Sequence, residues 1–156
     1  MASVTNIESL EDLPSVGPVS AAFGVFDGVH KGHAKIIDSA KENALKKCIK
    51  SCILTFDDDP DAVFGKDGFK RLTSNEKRIR ALCDTGVDSV VVLPFAKDIM
   101  SLEPIPFLDA VIAGLGIEEL HVGVDIRFGK FAKGDIGLLQ EWGSKNGVEV
   151  CAHDLL

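Results

Sequence analysis

Residues 19–33 read VSAAFGVFDGVHKGH. The run 19–23 is short, apolar and suited to a buried strand. A glycine-bearing turn follows it, and a helical pattern then covers residues 32–47. Two imidazoles, His30 and His33, bracket Gly32 where that helix opens. Unpaired backbone N–H groups and the helix dipole favour anions at such a place. Gly24 lets the chain leave the strand sharply, and Gly32 has no Cβ to hold a ligand off the backbone. The stretch therefore reads as strand, phosphate cradle and helix start.

Working outward, the same alternation of strand and helix repeats. Residues 51–56 (SCILTF) make a second strand, ended by the turn-forming acidic stretch 57–61. Thr73 or Ser74 is placed to cap a helix with Glu76 and Lys77 in its first turn and Ile79 and Leu82 on its buried stripe. Residues 88–93 make a third strand, 106–115 a helix stopped by Gly114 and Gly116, 119–123 a fourth strand, 135–145 a helix and 147–151 a fifth strand. Strands alternating with helices predict an α/β fold, an open parallel sheet of about five strands with helices on both faces. Right-handed crossovers put every strand's carboxyl end on one edge, where open sheets bind ligands. The loops 24–33, 57–64, 94–98 and 124–135 all fall on that edge.

Composition narrows the class. The chain has 156 residues, 46% apolar and 26% charged, enough for one buried core and too apolar for disorder. No apolar run reaches the roughly 18 residues of a membrane span. The acidic segment MASVTNIESLEDLP lacks the layout of a signal peptide, so a cytoplasmic home and no membrane partner are expected. A formal net charge of -7 speaks against nonspecific binding to nucleic acid, whose affinity comes mainly from Lys and Arg on phosphates. Cys48, Cys52, Cys83 and Cys151 show neither CxxC pairs nor zinc-like spacing, and free thiols are expected. No residue is assigned as a metal ligand.

The imidazole pair stays open to three readings: phosphate donors, a metal pair lacking a third nearby ligand, or two rings satisfied by backbone. His121 falls in a strand pattern and His153 in a frayed terminus; neither receives a role. Beyond this point the sequence is informative through resemblance. FDGVHKGH resembles the HxGH motif of the cytidylyltransferase-like nucleotidylyltransferases, and the fuller GVFDGVHKGH is similar to bacterial FAD synthetases. Thr55-Phe56 with Pro60 and Phe64 resembles that family's TFxPHP segment with its downstream Phe. Arg71-Leu72-Thr73 with Glu76-Lys77 resembles its RLT-x-x-EK helix start. Gly86-Val87-Asp88 with residues 90–95 resembles its GVD-x-VVVLPF strand. Residues 123–129 with Gly134-Asp135 resemble its VGxDFRFGxxxxGD loop. The likeness spans about residues 18 to 151.

The resemblance implies a Rossmann-like nucleotidylyltransferase fold and an FMN adenylyltransferase: AMP passes from ATP, with Mg²⁺, to the substrate FMN, giving FAD and pyrophosphate. It gives His30 and His33 the catalytic work on ATP phosphates. Gly24, Phe26, Asp27, Gly32, Asp125, Arg127 and Gly129 would bind ATP, and Phe64 and Phe128 would bind FMN. A solvated charge for Arg127 and an ordinary core aromatic for Phe128 stand beside those roles. Two departures stand out. Asp58-Asp59-Pro60 replaces the family's Pro-His-Pro, which puts a carboxylate where the family has an imidazole. The SSTxIR-like segment and the riboflavin kinase domain that usually follow are absent from residues 1–156, so a single, truncated adenylyltransferase-like domain with weak transfer and no kinase activity is expected. The kinase domain would then lie in the same full-length polypeptide. The rivals are another HxGH nucleotidylyltransferase, cytidylyl or phosphopantetheine adenylyl, and a catalytically impaired nucleotide-binding module.

Overall fold

The computed structural model describes residues 2–26, 31–57, 75–94 and 97–154, with the side chains of Lys31 and Asn75 set aside. Its strands are β1 (Ser3–Asn6), β2 (Val19–Phe23), β3 (Lys50–Phe56), β4 (Ser89–Leu93), β5 (Ile117–Gly123) and β6 (Glu149–His153). Its helices are α1 (Lys31–Lys47), α2 (Asn75–Cys83), the short α3 (Lys97–Met100) and α4 (Pro104–Phe107), and α5 (Ile136–Asn146). A π-helical turn, Leu108–Ala113, continues α4. All strand pairings are parallel, in the order β1-β4-β3-β2-β5-β6.

The expected α/β architecture is therefore present, with one strand more than the sequence shows plainly. β1 reads SVTN and is mostly exposed, as suits the outer strand of a sheet. It pairs with β4 in the register Val4↔Val90. Such a strand buries little, so it carries no apolar alternation to announce it. The fifth expected strand also shifts, from 147–151 to Glu149–His153, which brings His153 out of the expected frayed end and into the sheet.

Alternation along the strands divides the core in two. Ala22, Ile53, Val90 and Val92 face Ile36, Ile37 and Ala40 of α1 and Leu82 of α2. Ala21, Phe23, Leu54, Val91, Leu93, Leu120 and Val122 face the other way, toward Phe107, Leu108, Val111, Ile112, Leu139 and Trp142. Trp142 Nε1 donates to Asp109 Oδ1 at 2.8 Å and so ties α5 to the π-helical turn. No described helix is long and apolar enough to cross a membrane.

The order of strands matters for the site. From β2 the chain builds outward through β3 and β4, then crosses back to β5 and β6 on the other side. The reversal falls between β2 and β5, and the crevice at the carboxyl ends of these two strands is where such sheets take ligands.

Candidate active site

β2 ends at Phe23, and Gly24 N donates to Leu54 O at 3.1 Å, so the departing chain stays pinned to β3. A Cβ on Gly24 would stand 3.1 Å from the Phe26 ring, which folds back over it. Phe26 adopts φ 58 and is buried, an uncommon backbone for a bulky residue and one that needs its surroundings to hold it. What holds it is visible. Val25 O accepts from Thr55 Oγ1 at 3.1 Å and from Arg78 Nη1 at 2.6 Å, and Arg78 also donates to Thr55 Oγ1, Phe56 O and Asp57 O. One buried guanidinium thus fastens the turn after β2 to the end of β3. The Phe26 ring meets His33 edge-on at 5.3 Å, which fixes His33 in the first turn of α1.

The second wall of the crevice comes from residues 124–135. Phe128 and Gly134 form an antiparallel bridge, with Phe128 N to Gly134 O at 3.2 Å and Gly134 N to Phe128 O at 2.8 Å. A Cβ on Gly134 would stand 2.4 Å from the Phe128 ring, so glycine is required beneath it. Asp135 caps α5, its Oδ1 accepting from Leu138 N at 3.0 Å. Gly129 takes φ 78 against Pro104, and Lys130 N donates to Leu102 O at 2.7 Å, so the loop closes onto residues 97–104.

Against this loop and residues 97–107 lies a cavity of about 780 Å³, lined by Phe56, Ile99, Met100, Phe107, Phe128 and Phe131, with Lys97, Arg127 and Lys130 contributing cations. That volume lies within the range of small-molecule sites. Apolar walls suit a flat ring, and the cations suit an anionic group attached to it. Phe131 is exposed, with φ 58, and the ammonium groups of Lys130 and Lys133 stand 5.3 and 5.8 Å from its ring centroid.

The sequence-nominated residues sort as follows. Gly24, Phe26, Gly32 and His33 stand together at the carboxyl end of β2 and the start of α1. Arg127, Phe128 and Gly129 line the cavity, while Asp125 is exposed just after β5. The Phe128 ring packs on Phe107 with centroids 6.0 Å apart, as a core aromatic does, and also forms part of the cavity wall. Asp27, His30 and Phe64 lie outside the described residues, as do Asp58, Asp59, Pro60, Arg71, Leu72, Thr73 and Ser74. The sequence reading missed Arg78, Lys97, Met100, Phe107 and Phe131. Of these only Phe131 carried a signal, an aromatic between two lysines in a glycine-bounded loop.

An all-parallel open sheet, a glycine-initiated turn into a helix at its switch point, and a ligand-sized cavity on the same edge define a Rossmann-like fold of the nucleotidylyltransferase type. In fold, the chain superimposes on a crystal structure described as a macrolide-efflux protein from Streptococcus pneumoniae with a TM-score of 0.83, covering 97% of this chain and 51% of that one. At 24% identity that likeness speaks to the fold alone. The sequence profile of FAD synthetase matches residues 14–156, and the chain belongs to that family. Three relatives named bifunctional riboflavin kinase/FMN adenylyltransferase support this. The one from Bacillus subtilis is 36% identical over 115 residues, 72% of this chain and 36% of the relative. The one from Pseudomonas fluorescens is 33% identical over 131 residues, 83% and 42%. The one from Escherichia coli K12 is 32% identical over 152 residues, 96% and 48%. The chain thus spans less than half the length of these relatives.

Proposed function

We propose that this chain forms the FMN adenylyltransferase site of an FAD synthetase. An FMN phosphate oxygen attacks the α-phosphorus of ATP, the bond from that phosphorus to the bridging oxygen breaks, and pyrophosphate leaves; the product is FAD. A phosphate monoester has its second pKa near ~6 and is already a nucleophile at neutral pH, so no general base is required. Catalysis reduces to bringing two polyanions into line and stabilising the charge on the reacting oxygens. Mg²⁺ enters with ATP as part of that substrate.

In this reading His30 and His33 donate to ATP phosphate oxygens at the start of α1. Gly24, Phe26, Asp27 and Gly32 shape the pocket, Asp125, Arg127 and Gly129 hold the nucleotide, and Phe64 and Phe128 hold the flavin ring. The observation that carries the proposal is the aromatic cavity with its cationic residues on the sheet edge where α1 begins. An isoalloxazine ring with a phosphate tail matches that combination better than phosphopantetheine or a polyol phosphate, neither of which has a flat ring to stack. The riboflavin kinase activity named for the relatives we assign to the part of them that this chain does not cover. A cytoplasmic setting is part of the same proposal.

The test is direct. Incubation of the protein with ATP, FMN and Mg²⁺ is expected to give FAD, while CTP with glycerol phosphate gives no product. His33→Ala is expected to slow FAD formation by about 100-fold, the usual cost of losing a donor to a charged transition state, while FMN affinity stays within a factor of about 3 because in this reading the ring serves ATP and not the flavin. An unchanged rate would remove His33 from the mechanism. Nucleotide binding with no turnover in any condition would favour the binding-module reading.

A further inference from the structure

A second polar cluster lies under α1 and shares no residue with the adenylyl-transfer site. Glu119 and His121 are two apart on β5 and project to the same face; they are 0% and 1% exposed. β6 runs beside them in the register His121↔Cys151, which sets Cys151 next to both. From α1, Asn43 Nδ2 donates to Glu119 Oε1, and Lys47 Nζ sits 2.5 Å from Glu119 Oε2 and 2.9 Å from Glu149 Oε2. Ser20 pairs with Glu119 in register on β2, is fully buried, and its hydroxyl has no hydrogen-bond partner among the described residues.

Central strands of a parallel sheet covered on both faces are ordinarily apolar, and a carboxylate buried there costs several kcal/mol before its partners compensate. Desolvation pushes the Glu119 carboxyl up, yet hydrogen bonds from Lys47, Asn43 and His121 hold it below the usual carboxylate range. Two of its neighbours, with Glu119 itself, have metal-binding chemistry in reach. His121 Nε2 is 2.5 Å from Glu119 Oε1, Cys151 Sγ is 3.9 Å from the same oxygen, and one ligand atom from each of the three residues lies within 4.8 Å of the others. Zinc bonds of about 2.0–2.3 Å in a tetrahedron set ligand atoms roughly 3.3–3.8 Å apart, so the side chains need only small adjustments. The other His121 nitrogen, Nδ1, is 3.0 Å from His153 Nε2, and the two rings stack at 5.2 Å. A ligating histidine is commonly held in this way through its second nitrogen, which aims the first at the ion.

We propose that Glu119, His121 and Cys151 bind one zinc-class divalent ion, with His153 orienting His121. The mixed oxygen, nitrogen and sulfur donors select zinc over magnesium or calcium, which take oxygen ligands. Cys151 binds as thiolate and its proton goes to solvent. Glu119 and Glu149 outnumber Lys47 by one charge, so the added ion and the lost proton bring these groups to neutrality. The ion clamps β6 to β5 beneath α1.

Co²⁺ added to the metal-free protein is the probe. The expected result is one equivalent bound, with a thiolate-to-cobalt charge-transfer band that Zn²⁺ displaces. That band is lost in Cys151→Ser and kept in Cys48→Ser, which alters an exposed thiol elsewhere. His153→Phe is expected to weaken the metal about 10- to 100-fold while the band remains. No band in the wild-type protein, or a band that survives Cys151→Ser, overturns the proposal. Should Cys151→Ser fail to fold, alkylation of the wild-type chain decides: Zn²⁺ slows modification of Cys151 selectively, and equal rates with and without Zn²⁺ overturn the site.

Discussion

Arg78 is 1% exposed, and among the described residues its guanidinium donates to Val25 O, Phe56 O and Asp57 O, together with Thr55 Oγ1. Removing it takes a donor from several part-buried carbonyls at once. Arg78→Met is expected to lower stability by about 3 kcal/mol, the scale of an unsatisfied buried network, read as a shift in urea midpoint at constant m. Thr55→Val, which removes the donor to Val25 O and one acceptor of the Arg78 guanidinium, is expected to cost about 1 kcal/mol; equal losses for the two would deny Arg78 its bracing part. Cys52 tests the core by pH. Burial pushes its thiol up to about 11 from an ordinary 9.0. The folded state therefore keeps a proton that the unfolded chain gives up, so this stabilisation is whole below pH ~9 and is lost as pH rises toward ~11, about 2–3 kcal/mol in all. Cys52→Ala is expected to flatten the fall in stability across that window, measured by urea titration at successive pH values. At this scale the sequence marked out the places where residues carry unusual chemistry in a compact motif, and His33 and Gly24 do stand together where β2 gives way to α1. It was silent on Arg78 and on the Glu119–His121–Cys151 group, because those contacts are made between elements and depend on register, which a linear spacing does not contain.

Elements read more easily than contacts, because apolar period and turn residues are local. The central strand β2 follows the reading residue for residue, and α1, β3, β4, β5 and α5 differ from it by one or two positions at an end. Two differences have local causes. The stretch read as one helix over 106–115 begins at Pro104, whose missing N–H suits a helix start, and loosens into a π-helical turn at Leu108–Ala113. The loop after β5 was read through resemblance, and its geometry explains the residues that carried the likeness. Gly134 is there because Phe128 lies on it, and Asp135 because α5 needs a cap. Gly134→Ala is accordingly expected to push the Phe128 ring off its seat, costing about 1–3 kcal/mol of stability as overpacking does. On the role proposed for Phe128, the same change is expected to weaken FMN binding, followed by quenching of flavin fluorescence. Stability lost with FMN affinity unchanged would separate Phe128 from the flavin.

For the molecule as a whole, the question is whether two cores on opposite faces of one sheet behave as one cooperative unit. The strands contribute side chains to both faces in alternation, so exposing either core frees half the contacts that hold each strand in place. Strand order was beyond the sequence, since nothing local states that β1 joins β4 or that the reversal falls between β2 and β5; only the handedness rule and the ligand-binding edge were available in advance. Two reporters happen to divide between the faces. The single tryptophan, Trp142, is buried in the core beneath α5 and the π-helical turn, so its emission follows that face. Far-UV circular dichroism is weighted toward α1, which has 17 residues and packs on the other face. If the shared sheet couples the faces, the two signals trace a single transition in urea, as two-state unfolding requires. A tryptophan transition completed at lower urea than the helical one would mean that the α5 face comes away first, leaving α1 on a sheet stable without it.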